Sequence, residues 1–215
     1  MKILIVDDHG IVREGLKSLI EQQPDMEVVG EAENGQTAIQ LTKELSPDVV
    51  IMDVSMPNLN GVEATRYLLQ QKPDVKVIIL SMHMDKHIVK ESLKAGASCY
   101  VLKSYLFDEL LNALEAVKTH GYYLSPRITG VVIENYRTEQ QSATPQESTS
   151  LTTRERQILQ LIAEGKTTKE IARILHISPK TADANRRQIM NKLEIFNIAD
   201  LTKYAIREGL TSLEF

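Results

Sequence analysis

VVIMDVSMPNLNG, residues 49 to 61, runs four apolar residues into one carboxylate, Asp53, and then turns through Pro57 and Gly61. A run this short and this rich in β-branched residues reads as a strand buried on both faces. Its single charge therefore stands at the carboxyl end, where the chain leaves the core. Four further runs behave alike: KILIV, EVVGEA, VKVIILS and CYVL read as strands beside DVVIMD. Residues 10 to 22, 34 to 45, 62 to 71, 85 to 95 and 106 to 119 carry the helical period between and after them. Five βα units whose strands lack strict alternation predict an α/β fold, a doubly wound (βα)5 parallel sheet with helices on both faces.

That topology gives the polar residues a place. Asp7 and Asp8 follow strand one, Asp53 closes strand three, Ser81 closes strand four and Lys103 follows strand five. All lie at carboxyl ends of strands, the edge where such sheets bind ligands; in the order 2-1-3-4-5, strands one and three meet at the switch point. One aspartate after a strand is most simply a helix cap or a loop charge. Five suitable residues at matching ends are not, because chance would scatter them over both edges.

Three neighbouring carboxylates repel one another until some protonate or a cation joins them. With no sulfur and no histidine cluster among the candidates, a hard divalent ion is favoured, and Mg²⁺ in particular, which keeps waters and accepts a phosphate oxygen. A carboxylate beside such an ion can attack a phosphoryl group, as in aspartyl-phosphate chemistry. Lys103 can hold a phosphoryl oxygen as a point charge, and Ser81 can donate a hydrogen bond to one. Met82 and Met84 read first as gap-fillers in the core, with an adaptable contact surface beyond strand four as the alternative. His83 and His87 have i, i+4 spacing but no third ligand, so they read as a solvated helix face.

The chain has 215 residues and is 42% hydrophobic, enough for two compact domains. Residues 1 to 150 hold 14 Lys+Arg against 21 Asp+Glu, a net −7, while 151 to 215 hold 11 against 8, a net +3. An acidic front and a basic back suggest different partners. Between them, RTEQQSATPQESTS (137 to 150) has no aliphatic residue larger than Ala143 and reads as flexible linker. The expected division is thus 1–122, a linker at 123–150 in which 125–136 can form a helix, and 151–215. No apolar run reaches the roughly 18 residues of a membrane span, and the start MKILIVDD meets an acidic pair too soon for a signal peptide. A soluble cytoplasmic protein is expected, with no membrane partner. The lone Cys99, set in an apolar stretch, fits a reducing compartment and reads as a small core residue.

The second half is helical throughout, over 153–164, 168–175, 179–193 and 198–208. Its start signals are explicit: Thr152 with Glu155 and Thr167 with Glu170 form T-x-x-E capping boxes, and Ser178 precedes Pro179. Two short helices joined by a tight turn make a helix-turn-helix whose second helix reads a DNA major groove. There Ala182, Ile189 and Leu193 share the inward face. Outward stand Lys180, Asp183, Ala184, Arg187 and Asn191. Arg187 can pair with guanine, Ala184 can touch a thymine methyl and Asp183 can accept from cytosine N4. Lys180, Thr181, Arg186 and Lys192 suit phosphates. The plainer alternative from charge alone is a helical bundle with a solvated basic face. Ile198, Leu201, Tyr204 and Ala205 form a small apolar stripe that serves either to close the core or to pair two domains.

Taken together, VDD (6 to 8), MDVSMPNLNG (52 to 61), LSM (80 to 82) and YVLK (100 to 103) resemble the motifs of a bacterial response-regulator receiver domain, a flavodoxin-like fold. LTTRERQILQLIAEGKTTKEIA and ADLTKYAIREGL resemble the LuxR-type DNA-binding domain of NarL/FixJ response regulators. The resemblance implies Asp53 as phosphoacceptor, Asp8 as direct Mg²⁺ ligand, Asp7 as supporting acid and the Ser55 backbone carbonyl as a further metal contact. It also implies phosphoryl contacts from Ser81 and Lys103, and Tyr100 as an aromatic switch, although an aromatic in a strand is by itself more simply packing. A sensor histidine kinase would be the phosphodonor, double-stranded DNA the target and a phosphorylated homodimer the working state. The chain departs from its relatives at Ser104, where proline is common, at Cys99, where glycine is common, and at Asn185, where histidine is common. Two rivals use the same residues. A Mg²⁺-dependent phosphohydrolase would want a second aspartate two residues after the nucleophile, where Ser55 stands; an interaction adaptor would not retain DNA.

Overall fold

A computed structural model describes residues 1–82, 84–141 and 151–211. The chain divides into two compact units, Met1–Ala143 and Thr144–Phe215.

In the first unit, β1 (Lys2–Val6), β2 (Glu27–Ala32), β3 (Val49–Asp53), β4 (Lys76–Ser81) and β5 (Cys99–Leu102) alternate with α1 (Gly10–Glu21), α2 (Gly35–Leu45), α3 (Gly61–Gln71), α4 (Lys86–Lys94) and α5 (Leu106–Thr119). Every strand pairing is parallel, and these five lie in the order β2-β1-β3-β4-β5. Successive side chains point to opposite faces, and both faces are covered. Leu4, Val6, Val50, Met52, Val77, Ile79 and Tyr100 join a core containing Ala38, Ala64, Leu68 and Val89 from α2, α3 and α4. Ile3, Ile5, Ile51, Ile78, Leu80 and Val101 meet Leu16 and Ile20 of α1 and Leu110 and Leu114 of α5. Each such aliphatic side chain contributes about 2 kcal/mol when fully buried, which is why these strands are apolar throughout. Cys99 is one of the core residues, and burial pushes its thiol up to about 12.

Past α5 the structure departs from the sequence reading. A sixth parallel strand, β6 (Tyr123–Leu124), pairs with β5, and α6 (Pro126–Gln141) packs on α4. The strand is unexpected; the helix allowed over 125–136 is present as α6 but runs on to Gln141, so the flexible stretch expected from 137 does not begin there. Pro126 opens α6 where its missing N–H costs nothing. Ile128 is buried with Tyr100 and Val89, and Val131 and Val132 pack against the same cluster, so tertiary contacts nucleate the helix. Beyond them Arg137, Glu139, Gln140 and Gln141 are good helix formers, and no breaker comes before Pro145. Residues 142–150 lie outside the described residues.

In the second unit, α7 (Thr153–Ala163), α8 (Thr168–Ile174), α9 (Pro179–Leu193) and α10 (Ile198–Arg207) follow the expected spans to within a residue. Both capping boxes close, and Ser178 accepts from the Thr181 backbone N–H at the head of α9. Gly165 and His176, with φ of 76° and 53°, end α7 and α8 in the left-handed region. The core gathers Ile158, Leu161, Ile171, Leu175, Ala182, Ile189, Leu201 and Ala205. Thus Leu201 and Ala205 close the core against α7, whereas Ile198 remains 48% exposed.

The turn after β3 is held by one close approach. A Cβ on Gly61 would lie 1.9 Å from the Asp53 carbonyl oxygen, and the Gly61 N–H donates to the Val54 carbonyl at 2.9 Å. Asn60 then caps α3 by accepting from the Glu63 N–H. Gly61→Ala should cost about 2 kcal/mol, the scale of an overpacked core site. Thermal unfolding followed by circular dichroism checks this, and an unshifted receiver transition would contradict it.

Candidate metal centre and nucleic-acid interface

Parallel pairing brings the ends of β1 and β3 side by side, with Val6 opposite Met52, so the residues that follow converge. Asp7, Asp8, His9 and Asp53 each offer a ligand atom within 4.8 Å of the others. Asp7 and Asp53 are buried, while Asp8 reaches solvent. Lys103 enters from the single 3₁₀ turn Lys103–Tyr105 that follows β5. Its Nζ stands 2.6 Å from Asp7 Oδ2 and 3.0 Å from Asp53 Oδ1. The other Asp53 oxygen, Oδ2, is buried with no hydrogen-bond partner among the described residues.

The electrostatics follow from that geometry. Burial pushes the Asp53 carboxyl up to about 6; Lys103 works against this and Asp7 adds to it. Burial opposes the charge on Lys103, yet Asp53 and Asp7 outweigh it and hold the ammonium above its ordinary value. Three carboxylates against one ammonium leave an excess of two negative charges, the amount one divalent cation cancels. An acid cluster in deficit, with a buried oxygen lacking a donor, fits a hard cation.

Two residues of the site escaped the sequence reading. His9 donates its backbone N–H to Asp7 Oδ1 at 2.9 Å, and its Nδ1 lies 2.8 Å from Asp8 Oδ1. Arg13 donates to the Asp7 carbonyl at 2.7 Å and reaches Glu31 and Glu33, clamping the end of β1. The available signal for His9 was its place directly after the acid pair. Arg13 gave none, since its reach depends on how α1 lies across β2.

Ser81 is buried at the end of β4, and Tyr100 is fully buried beside it in β5, its phenol hydrogen bonded with the Ser81 side chain. Burial pushes that phenol up to about 12, keeping it a neutral donor. Ser55 is exposed in the loop two residues beyond Asp53. Met82 and Met84 are 70% and 54% exposed, not core fillers, because the chain has already left the sheet. His83 lies outside the described residues.

On α9, Lys180, Thr181, Ala184, Arg187 and Asn191 are exposed, and Asp183 and Arg186 partly so. Ala182 and Ile189 face inward, with Leu193 packed at the edge of the core. Several of the outward side chains are already engaged. Arg187 Nη2 lies 2.8 Å from Asp183 Oδ2 one turn earlier. Lys192 Nζ lies 2.8 Å from Glu155 Oε2, tying the far end of α9 to the capping box of α7. Burial raises the Glu155 carboxyl, but Lys192 and the Thr152 donors prevail and hold it below the usual range.

Comparison with known proteins agrees with both halves. The family model "Response regulator receiver domain" matches residues 3–115, and "Bacterial regulatory proteins, luxR family" matches 149–205. The transcriptional regulatory protein LiaR of Bacillus subtilis is 39% identical over 99% of this chain and 100% of its own length. DegU of Brevibacillus brevis is 38% identical over 96% of this chain and 92% of its own. Among solved structures, RcsB of Salmonella enterica bound to promoter P1flhDC with phosphomimetic BeF3⁻ superposes with a TM-score of 0.62 at 28% identity, covering 98% of this chain and 99% of that one. A LuxR-family response regulator from Aurantimonas gives 0.60 at 39% identity over 63% of this chain and 97% of that one. With an acid nest at the carboxyl edge of a parallel sheet in its first unit and a capped helix-turn-helix in its second, the chain belongs to the NarL/FixJ-type response regulators, two-component transcription regulators that join a receiver to a LuxR-type DNA-binding domain.

Proposed function

We propose that Asp53 is the phosphoacceptor and that its modification controls operator binding by α9. The observation that carries this is the buried, unpartnered Asp53 oxygen beside Asp7 and Lys103. That oxygen attacks the phosphorus of a kinase phosphohistidine; the new O–P bond forms as the P–N bond breaks, and the imidazole leaves as a neutral ring when its second nitrogen carries a proton. Lys103 shifts from Asp53 to a phosphoryl oxygen while keeping Asp7, and the Ser81 hydroxyl donates to another. Asp8, Asp53 and the Ser55 carbonyl would hold Mg²⁺, with Asp7 in support; when bound, the ion neutralises charge on the acceptor and the incoming oxygens. Every element of this kit positions groups or balances charge, which suits a regulator phosphorylated once rather than an enzyme with a substrate pocket. Its partners are a cognate sensor histidine kinase and a second copy of the phosphorylated chain. Among the described residues no helix is long and apolar enough to cross a membrane, and we place the protein in the cytoplasm.

On DNA, Arg187 reads guanine, Ala184 a thymine methyl and Asp183 cytosine N4, with Asn191 further along the same face. Lys180, Thr181 and Arg186 take phosphates; Lys192 does so only by sharing its ammonium with Glu155. Solved RcsB–DNA complexes support this use of the second unit.

Three outcomes follow. Asp53→Asn should abolish labelling by acetyl phosphate in Mg²⁺ while the circular dichroism spectrum stays unchanged, and retained labelling would point to another acceptor. Only ionised Asp53 attacks, and its carboxyl stands near 6 without a cation. At limiting Mg²⁺ the labelling rate should therefore fall as pH drops through about 6, with the midpoint moving lower at saturating Mg²⁺; a flat profile would exclude Asp53 ionisation as the control. Arg187→Ala should cost about 1–3 kcal/mol on the preferred operator and relax one base position in selected DNA, and an unaltered selected sequence would remove Arg187 from base reading.

A further inference from the structure

The proposed phosphoryl chemistry leaves the His9 side chain unused, although that ring stands among the acids. His9 is the N-cap residue of α1, in extended backbone at φ −90° and ψ 107°, yet its side chain makes no capping bond to the helix. Its backbone N–H donates to Asp7 Oδ1 at 2.9 Å, which pins the residue to the end of β1. The ring then turns to the carboxylates: Nδ1 lies 2.8 Å from Asp8 Oδ1 and 3.2 Å from Asp7 Oδ1. Asp7, Asp8, His9 and Asp53 each bring one ligand atom, and these atoms lie within 4.8 Å of one another. The donor set is thus one imidazole nitrogen and three carboxylate oxygens, built from three successive residues after β1 and the last residue of β3. Asp53 Oδ2, buried and without a hydrogen-bond partner among the described residues, is an independent sign that the cluster is shaped for a ligand.

Mg²⁺ is a hard ion that takes oxygen donors and keeps its waters, so an imidazole nitrogen adds little to its binding. Imidazole suits Co²⁺, Ni²⁺ and Zn²⁺, for which a site of mixed nitrogen and carboxylate donors is well matched. A neutral ring also adds a donor without adding charge, so a divalent ion still cancels the negative excess that Lys103 leaves among Asp7, Asp8 and Asp53. The His9 side chain is 64% exposed, so Nε2 can carry the ring proton and share it with water while Nδ1 presents its lone pair. We propose that His9 is a metal ligand through Nδ1, and that the nest is thereby a site for a transition ion of the Co²⁺, Ni²⁺ and Zn²⁺ class, held more tightly than Mg²⁺. The carboxylates supply the charge and His9 the preference among metals. The same acids without the imidazole would bind a divalent ion but would not favour this class.

The inference rests on the metal-holding part of the Asp53 reading and not on phosphoryl transfer, which fails separately if Asp53→Asn is still labelled. Mg²⁺ and Co²⁺ are titrated separately into the metal-stripped full chain by calorimetry, for the wild type, His9→Ala, His9→Gln and Asp53→Asn, and the Co²⁺-loaded proteins are examined by proton NMR. Both His9 variants keep the backbone N–H that holds Asp7, and circular dichroism checks that each chain is folded. Co²⁺ should bind the wild type about tenfold or more tighter than Mg²⁺, and each His9 variant should lower the ratio of Co²⁺ to Mg²⁺ affinity by about tenfold or more. The Co²⁺-loaded wild type should show a paramagnetically shifted imidazole N–H resonance that both His9 variants lack. An unchanged affinity ratio in those variants, or a shifted imidazole resonance that survives in them, overturns His9 as a ligand while the acid site stands. Co²⁺ binding untouched by Asp53→Asn places the ion away from the nest and overturns the inference too. If Mg²⁺ binding is likewise untouched, the metal part of the Asp53 reading falls with it.

Discussion

A buried ammonium between two buried carboxylates organises the first unit. Lys103 alone cannot balance Asp7, Asp8 and Asp53, and Asp53 bears the cost as a carboxyl held near 6. An unbalanced buried charge is unfavourable unless something completes it. The fold holds the imbalance in place from several directions: Arg13 clamps the end of β1, Gly61 packs on the Asp53 peptide and the 3₁₀ turn after β5 aims Lys103 inward. The acid cluster is therefore arranged to suit a divalent cation, whose charge would offset that excess.

The rim of the nest is also tied to the flank of the sheet. Ser81 and Tyr100 stand on adjacent parallel strands and are joined by a hydrogen bond at the rim of the nest. Tyr100 in turn offers its carbonyl to Ser125 and its ring to the cluster around Ile128. The connection is short and made of packed side chains and backbone pairing.

The second unit is built on different terms. Its helices are short, and each is started by side-chain oxygens that satisfy the first backbone N–H groups, about 1 kcal/mol per cap. A small core of Ile158, Leu161, Ile189 and Leu201 then fixes α9 with its basic face outward. The ion pair between Asp183 and Arg187 already holds that guanidinium, so in the proposed base-reading role a base would have to compete with Asp183 for it.

Much of this was legible in the chain itself. The β-branched runs, the alternating helices and the carboxylates at strand ends determined the parallel sheet and the location of its acid nest, because strand period and connection rules leave few ways to bury such runs. The two T-x-x-E boxes and Ser178–Pro179 likewise set the helix starts to within a residue, since capping is local chemistry. The part played by His9 and Arg13, the exposure of Met82 and Met84, the strand β6, and the docking and further extent of α6 beyond the helix allowed over 125–136 were decided only by tertiary structure. Residues 123–141 show why: their Leu124, Ile128, Val131 and Val132 allow a helix but do not say where it docks, and β6 forms because the β5 edge offers unpaired backbone groups while the cluster with Val89 takes up Ile128. Local sequence records propensity, but whether a weak segment is ordered depends on the surface waiting for it.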